Sequence, residues 1–181
     1  MTTGNDTPAT ANAPARRHVL AGAALALGGL SLANRTRAAA AENGDTPATH
    51  GRTFLHQDVY FAAPAHRIYD ALLDDKQFAA FTGLPAKISR DVGGELWMFG
   101  GIILGRNIEL VPDQRIVQAW RERSWDPGVY SLVKFEIEAQ DKGTKVALDH
   151  TGFGEGNFWH LDPGWNIRYW NPMKKFFGEP G

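Results

Sequence analysis

Few residues in this chain have the type and the setting to do chemistry. His150 ends a run in which Val146, Leu148 and His150 share one side. A histidine there can act as a general base or a ligand contact, because its pKa is tunable near neutrality. More often a histidine so placed is simply hydrogen-bonded in or near the core. Gln118 alternates with Ile116 and Trp120, and Ser131 with Val133, Phe135 and Ile137. Gln118 and Ser131 are therefore candidates for the few polar contacts that orient a ligand in an apolar site, or for partners of a bound water. Trp120, Trp165 and Tyr169 can line such a site or pack in a core, and each carries a donor that needs a partner when buried. Val133, Phe135 and Leu148 complete the candidate lining.

Other groupings carry less. Gly152-Phe153-Gly154-Glu155-Gly156 lacks the Lys-Ser/Thr that would meet phosphate and metal, and reads as a flexible link. Asp74-Asp75 suit the positive end of a helix dipole, and Lys174-Lys175 the negative end. His56, His66, His150 and His160 have no ligand-like spacing, so no metal site is assigned. There is no cysteine, which excludes a disulfide scaffold, a zinc ribbon and a thiol enzyme. No Ser-His-Asp signature stands out, no catalytic residue is nominated, and nothing calls for a cofactor. The net charge of −1 gives no basic surplus for binding nucleic acid.

The elements that must position these residues follow from periodicity. Thr53 to Phe61 reads as a strand, and Pro64 suits the first turn of a helix carrying Ile68, Leu72 and Leu73. Asp74 opens a second short helix with Phe78 and Phe81 on one face, and Gly83 closes it. Strands are expected at Glu95–Phe99, Ile103–Val111, Arg115–Glu122, Val129–Ala139 and Thr144–Thr151, with a weaker extended piece at Ala86–Ser89. Short turns without intervening helices mean an antiparallel meander. Lys134, Glu136 and Glu138 alternate with the apolar residues, so one face is wet. A final helix is expected to start with Asp162 as its cap and Pro163 at its first position. Its stripe is Trp165, Tyr169, Met173 and Phe176, with a kink at Pro172.

The chain divides near residue 52. Residues 1–52 contain no Trp, Tyr or Phe, and hold five Arg against three acids, or +2. Residues 53–181 hold all six Trp and carry 14 basic against 17 acidic residues, or −3. The first part is ordered as an export signal: Arg16-Arg17, an Ala/Gly/Leu run from Val19 to Ala33, and small residues Ala38 to Ala41. The run is too short for the roughly 20 apolar residues of a membrane span. The Arg pair resembles a twin-arginine signal, although Ala15, Val19 and Ala21 replace the usual neighbours. The expected organisation is a cleaved signal at 1–41, a linker at 42–52 and one domain at 53–181. The twin-arginine export machinery is then a partner in transport. The mature protein would be periplasmic or secreted, with no membrane span.

The motifs carry a family likeness. Val59-Tyr60-Phe61-Ala62-Ala63-Pro64 with Ile68-Tyr69-Asp70-Ala71-Leu72 resembles the opening strand and helix of the START-like (SRPBCC) superfamily. Phe81-Thr82-Gly83, Gly93-Gly94 and Gly100-Gly101 resemble its glycine-punctuated hairpin. Pro112-Asp113-Gln114-Arg115-Ile116-Val117-Gln118-Ala119-Trp120-Arg121, with Trp125, Thr144, Gly152 and Gly164-Trp165, resembles the branch named after the activator of the heat-shock-protein-90 ATPase. The resemblance implies an α+β helix-grip fold, in which a curved antiparallel sheet wraps a long C-terminal helix. It also implies a groove between sheet and helix holding a small hydrophobic or amphipathic molecule. A co-chaperone-like interaction module and a cyclase- or hydratase-type enzyme are the alternatives. Close packing of the Trp165–Phe176 stripe on Phe135 and Leu148, with no void, would favour the interaction reading.

Overall fold

The computed structural model describes residues 51–181. The expected signal segment, including Arg16 and Arg17, and most of the expected linker lie outside the described residues. Strand β1 (Phe54–Phe61) leads through Pro64 into α1 (Ala65–Leu73). Pro64 takes an extended conformation just before the helix, and its carbonyl accepts from the Arg67 and Ile68 amides. Helix α1 buries Ile68, Tyr69, Ala71, Leu72 and Leu73. Asp74 caps α2 (Asp75–Thr82) by accepting from the Lys76 and Gln77 amides. Gly83 ends that helix at φ 72°, a left-handed conformation that costs a glycine little.

The remaining strands are β2 (Lys87–Ile88), β3 (Glu95–Met98), β4 (Ile103–Val111), β5 (Arg115–Glu122), β6 (Ser131–Gln140) and β7 (Gly143–Thr151). They form one antiparallel sheet in the order β1-β7-β6-β5-β4-β3-β2. This is the α+β helix-grip arrangement. The alternation is realised in register: Ile116 faces Phe135, Gln118 faces Val133, and Trp120 faces Ser131. Phe135 in turn faces Leu148, and Val133 faces His150. All eight of these residues are buried. On the other face, Lys134 bridges Asp149 at 2.9 Å and Arg115 bridges Glu136 at 2.8 Å. The register slips between Asn107 and Glu109, a bulge that locally increases the bend of β4.

The C-terminal helix departs from expectation in two ways. It begins at Phe158, not Pro163: α3 spans Phe158–Trp165 with Pro163 inside it. The His160 and Leu161 amides already donate to the Asn157 carbonyl, so the helical turn starts as the glycine-rich link ends. Asp162 therefore caps nothing. Its carbonyl and carboxylate instead accept from Gln57 Nε2 at 2.9 and 2.8 Å. Secondly, a π-helical turn (Asn166–Trp170) precedes α4 (Asn171–Phe176), with Pro172 near the start of α4. Pro172 is thus accommodated by the wider turn before it, where the Asn171 amide reaches back to the Asn166 carbonyl. The turn also changes which residues share a face. Positions i and i+5 are roughly 140° apart on a regular α-helix. Here Trp165 and Trp170 stack, with ring centroids 5.6 Å apart and planes 20° apart.

Candidate functional site

Most of the space between sheet and C-terminal helix is filled. Trp165 meets Phe135 edge-on at 5.7 Å, Trp170 meets Phe135 at 6.2 Å, and Tyr169 packs between Phe78 and Phe99. Val133, Phe135, Leu148 and Met173 are wholly buried. The groove opens where α3 passes the finish of β5 and the start of β4. A cleft of about 520 Å3 lies there. That falls within the roughly 300–1,000 Å3 typical of small-molecule sites.

The cleft has an aromatic floor and an apolar rim. Trp120, Trp165 and Tyr169 form the floor, with Phe99 and Ile103 beside them. Trp120 and Trp165 stack at 5.0 Å. The rim carries Trp159, Ile167 and Ile102, which remain 68%, 66% and 46% exposed. Leu161, Pro163 and Gly164 complete one wall. A Cβ added at Gly164 would meet nothing within 4 Å, so that wall borders open space. The acidic and basic side chains in the lining are Glu122, His160 and Arg168. His160 Nε2 lies 3.3 Å from Glu122 Oε2.

One wall is built on strained backbone. Phe99, Gly100 and Gly101 take φ of 53°, 68° and 89° in succession. A positive φ is costly for a bulky residue such as Phe99, and such strain persists only where the surroundings hold it. The Phe99 ring is held by Phe78 and Tyr169 at 5.1 and 5.4 Å. The Gly100 amide donates to the Pro85 carbonyl at 2.8 Å.

Both floor indoles are tethered from behind. Trp120 Nε1 donates to Gln118 Oε1 at 2.8 Å, and Gln118 Nε2 donates to Asn107 Oδ1 at 2.9 Å. Asn107 Nδ2 then donates to the Ser89 and Asp91 carbonyls at 2.7 and 3.2 Å. Trp165 Nε1 donates to His150 Nδ1 at 3.3 Å. Because Nδ1 accepts, the neutral ring carries its proton on Nε2, which faces Ser131 Oγ at 2.8 Å. Ser131 Oγ donates onward to the Trp120 carbonyl at 3.3 Å. The two relays close on the same tryptophan. Burial pushes the His150 pKa down to about 3, so the ring is neutral throughout the physiological range. Burial also raises the Tyr169 phenol, whose hydroxyl faces Met98 Sδ at 3.9 Å.

The nine residues proposed from sequence therefore separate. Trp120, Trp165 and Tyr169 line the cleft. Gln118, Ser131, Val133, Phe135, Leu148 and His150 lie in the closed core and are absent from the cleft lining. The physical reason is mutual satisfaction. Gln118, Ser131 and His150 have each other's neighbours as partners, and large rings fill the volume in front of them. His150, the candidate general base, is 1% exposed and lies behind Trp165.

Sequence reasoning missed Trp159, Ile167, Ile102 and Arg168. For Trp159 the signal was available only with the helix start: once α3 begins at Phe158, it becomes an exposed aromatic on a helix rather than part of a link. Asn107 was also missed, although it shares a strand face with Ile103 and lies opposite Gln118 in register, so alternation along β4 was the signal that could have found it. Among the described residues, no cluster of His, Cys, Asp and Glu is arranged to hold a metal ion.

Comparison with known proteins gives a consistent kinship. The family model described as Activator of Hsp90 ATPase homolog 1-like protein matches residues 62–178. The human protein named Activator of 90 kDa heat shock protein ATPase homolog 1 is 26% identical over 118 residues, 65% of this chain and 35% of that protein. Its Dictyostelium discoideum counterpart is 31% identical over 110 residues, 60% of this chain and 29% of that protein. The chain thus spans about a third of the length of the curated relatives it matches. Among solved structures, an HSP90 activator from Plasmodium falciparum has a TM-score of 0.67 at 23% identity, covering 71% of this chain and 99% of that one. The Aha1 dimer from Colwellia psychrerythraea gives 0.55 at 18% identity, covering 64% and 90%.

Proposed function

The chain belongs to the family of Activator of Hsp90 ATPase homolog 1-like proteins, and from that premise we propose that its domain binds a small apolar or amphipathic molecule in the cleft beside α3. One observation carries the reading: an open cleft of about 520 Å3 whose two floor indoles are fixed by buried polar partners. A pre-organised apolar surface loses less freedom on binding, which favours affinity. The exposed Trp159 and Ile167 on the rim would be covered by an occupant, and their burial supplies driving force.

Gly164 offers a direct test, because a side chain there projects into open space. Decan-1-ol should quench or shift the tryptophan fluorescence of the wild-type domain saturably. Gly164→Phe should fold normally and lose that response. A saturable response of equal strength in both proteins would place binding elsewhere and refute the reading.

A second reading rests on the kinship. Proteins similar to this chain are named activators of the 90 kDa heat shock protein ATPase, and we infer that a protein-interaction role is the alternative use of the same domain. Capture of a partner by Gly164→Phe as effectively as by wild type would support it. The enzyme alternative, of cyclase or hydratase type, has lost its candidate base: His150 is sealed and neutral.

Export is the third element of the proposal. Arg16-Arg17 and the small residues before Ala41 support twin-arginine transport and a periplasmic or secreted mature protein. Cell fractionation with N-terminal sequencing tests it. An exported species starting at Glu42 or Ala41 is expected, and a retained species starting before Arg35 would overturn it.

A further inference from the structure

We propose that the occupant of the cleft is an anionic amphipath whose head group pairs with Arg168 while its chain lies on the Trp120–Trp165 floor. The inference rests on the cleft-binding reading above and names the ligand's chemical class. The charges around the cleft decide it. Glu122 already has a partner in His160, 3.3 Å away. Arg168 lines the cleft and has no carboxylate within 4.0 Å among the described residues. It is the one Lys or Arg in the lining. Arg168 also follows Ile167, an exposed apolar rim residue, so cation and apolar surface are adjacent at the mouth.

A guanidinium at the mouth of an apolar cleft suits a carboxylate or phosphate, which it can meet with two parallel N–H donors. A neutral head group would leave that capacity unused. A cationic one would face Arg168 directly and compete with His160 for Glu122. The chain of the ligand needs no polar partner, because the floor indoles have spent their donors on Gln118 and His150.

The experiment compares three probes of equal chain length on the full domain: decanoate, decan-1-ol and decyltrimethylammonium. Decanoate and decyltrimethylammonium are titrated below their micelle concentrations, and decan-1-ol below its solubility limit, against wild type, Arg168→Gln and Arg168→Glu, with tryptophan fluorescence as the readout. Decanoate should bind wild type about fivefold more tightly than decan-1-ol, in the range for a partly exposed ion pair. The preference should vanish in Arg168→Gln, reverse in Arg168→Glu, and shrink at high salt. Decan-1-ol should bind all three proteins alike. Equal binding of acid and alcohol by wild type, or preference for decyltrimethylammonium, overturns the anionic assignment and leaves cleft binding intact. Failure of every probe to bind overturns both.

Discussion

The indole N–H of Trp165 donates to Nδ1 of His150 at 3.3 Å. That contact joins the closing helix to the sheet and sets the histidine tautomer. It also makes His150 a supporting residue for the cleft floor. Everything behind the indole is satisfied by neighbours: His150 by Ser131, and Ser131 by the Trp120 carbonyl. A polar cluster paired in this way tends to fix one arrangement of a core, since any partial rearrangement leaves a buried group unpaired.

The burial of His150 predicts an acid-sensitive fold. The folded pKa of His150 is about 3, below its ordinary 6.5, so the unfolded chain takes up the proton first as pH falls. Its contribution is therefore complete well above pH 6.5, declines as pH drops through that value, and stops declining below about pH 3. Between pH 6.5 and 4.5 the loss should be on the order of 2 kcal/mol. Urea unfolding at both pH values should show this slope in wild type. It should be smaller by close to one proton in His150→Gln. Equal slopes would mean that His150 is not buried neutral.

The second relay predicts a cost at Gln118. Gln118→Leu keeps the volume roughly but leaves Asn107 Oδ1 and Trp120 Nε1 without partners. Two unsatisfied buried groups should cost about 2–4 kcal/mol. Chemical denaturation measures it, and a loss below about 0.5 kcal/mol would argue that water replaces the glutamine.

Gln57 should hold the start of the C-terminal helix to the sheet edge. Its Nε2 donates to Asp162, and its Oε1 accepts from Trp170 Nε1 at 2.7 Å. Gln57→Ala should raise hydrogen exchange across α3 and the π turn more than in β6. Uniform acceleration would instead indicate global destabilisation alone.

Trp159 should behave in the opposite sense. It is 68% exposed, so Trp159→Ala should change stability by less than about 0.5 kcal/mol. It should nevertheless weaken binding of decan-1-ol severalfold by removing part of the rim. Unchanged binding in that variant would remove the rim from the account.

Much of this architecture was legible because its signals are local. Alternation at Arg115–Glu122 and Ser131–Gln140 marked the buried face correctly, and Asp74 and Gly83 marked a helix start and stop. The cleft was not legible, because it depends on relations between distant elements. Gln118, Ser131 and His150 face inward as the pattern implied, yet whether they meet a ligand or one another is decided by strand register and helix position. The π turn was hidden too. A regular 3.6-residue period places Trp170 off the stripe, and the wider turn brings it against Trp165. Pro163 misled the reading of the helix start, since proline favours a first turn but here lies within α3.

The most direct measurement is a 1H–15N spectrum of the six indole N–H groups during titration with decanoate and with decan-1-ol. Trp120, Trp159 and Trp165 line the cleft, whereas Trp97 and Trp125 do not. Saturable shifts are expected at the first three, none at Trp97 and Trp125, and no response in Gly164→Phe. Shifts centred on Trp97 or Trp125, or shifts that persist undiminished when Gly164 is filled, would contradict cleft binding.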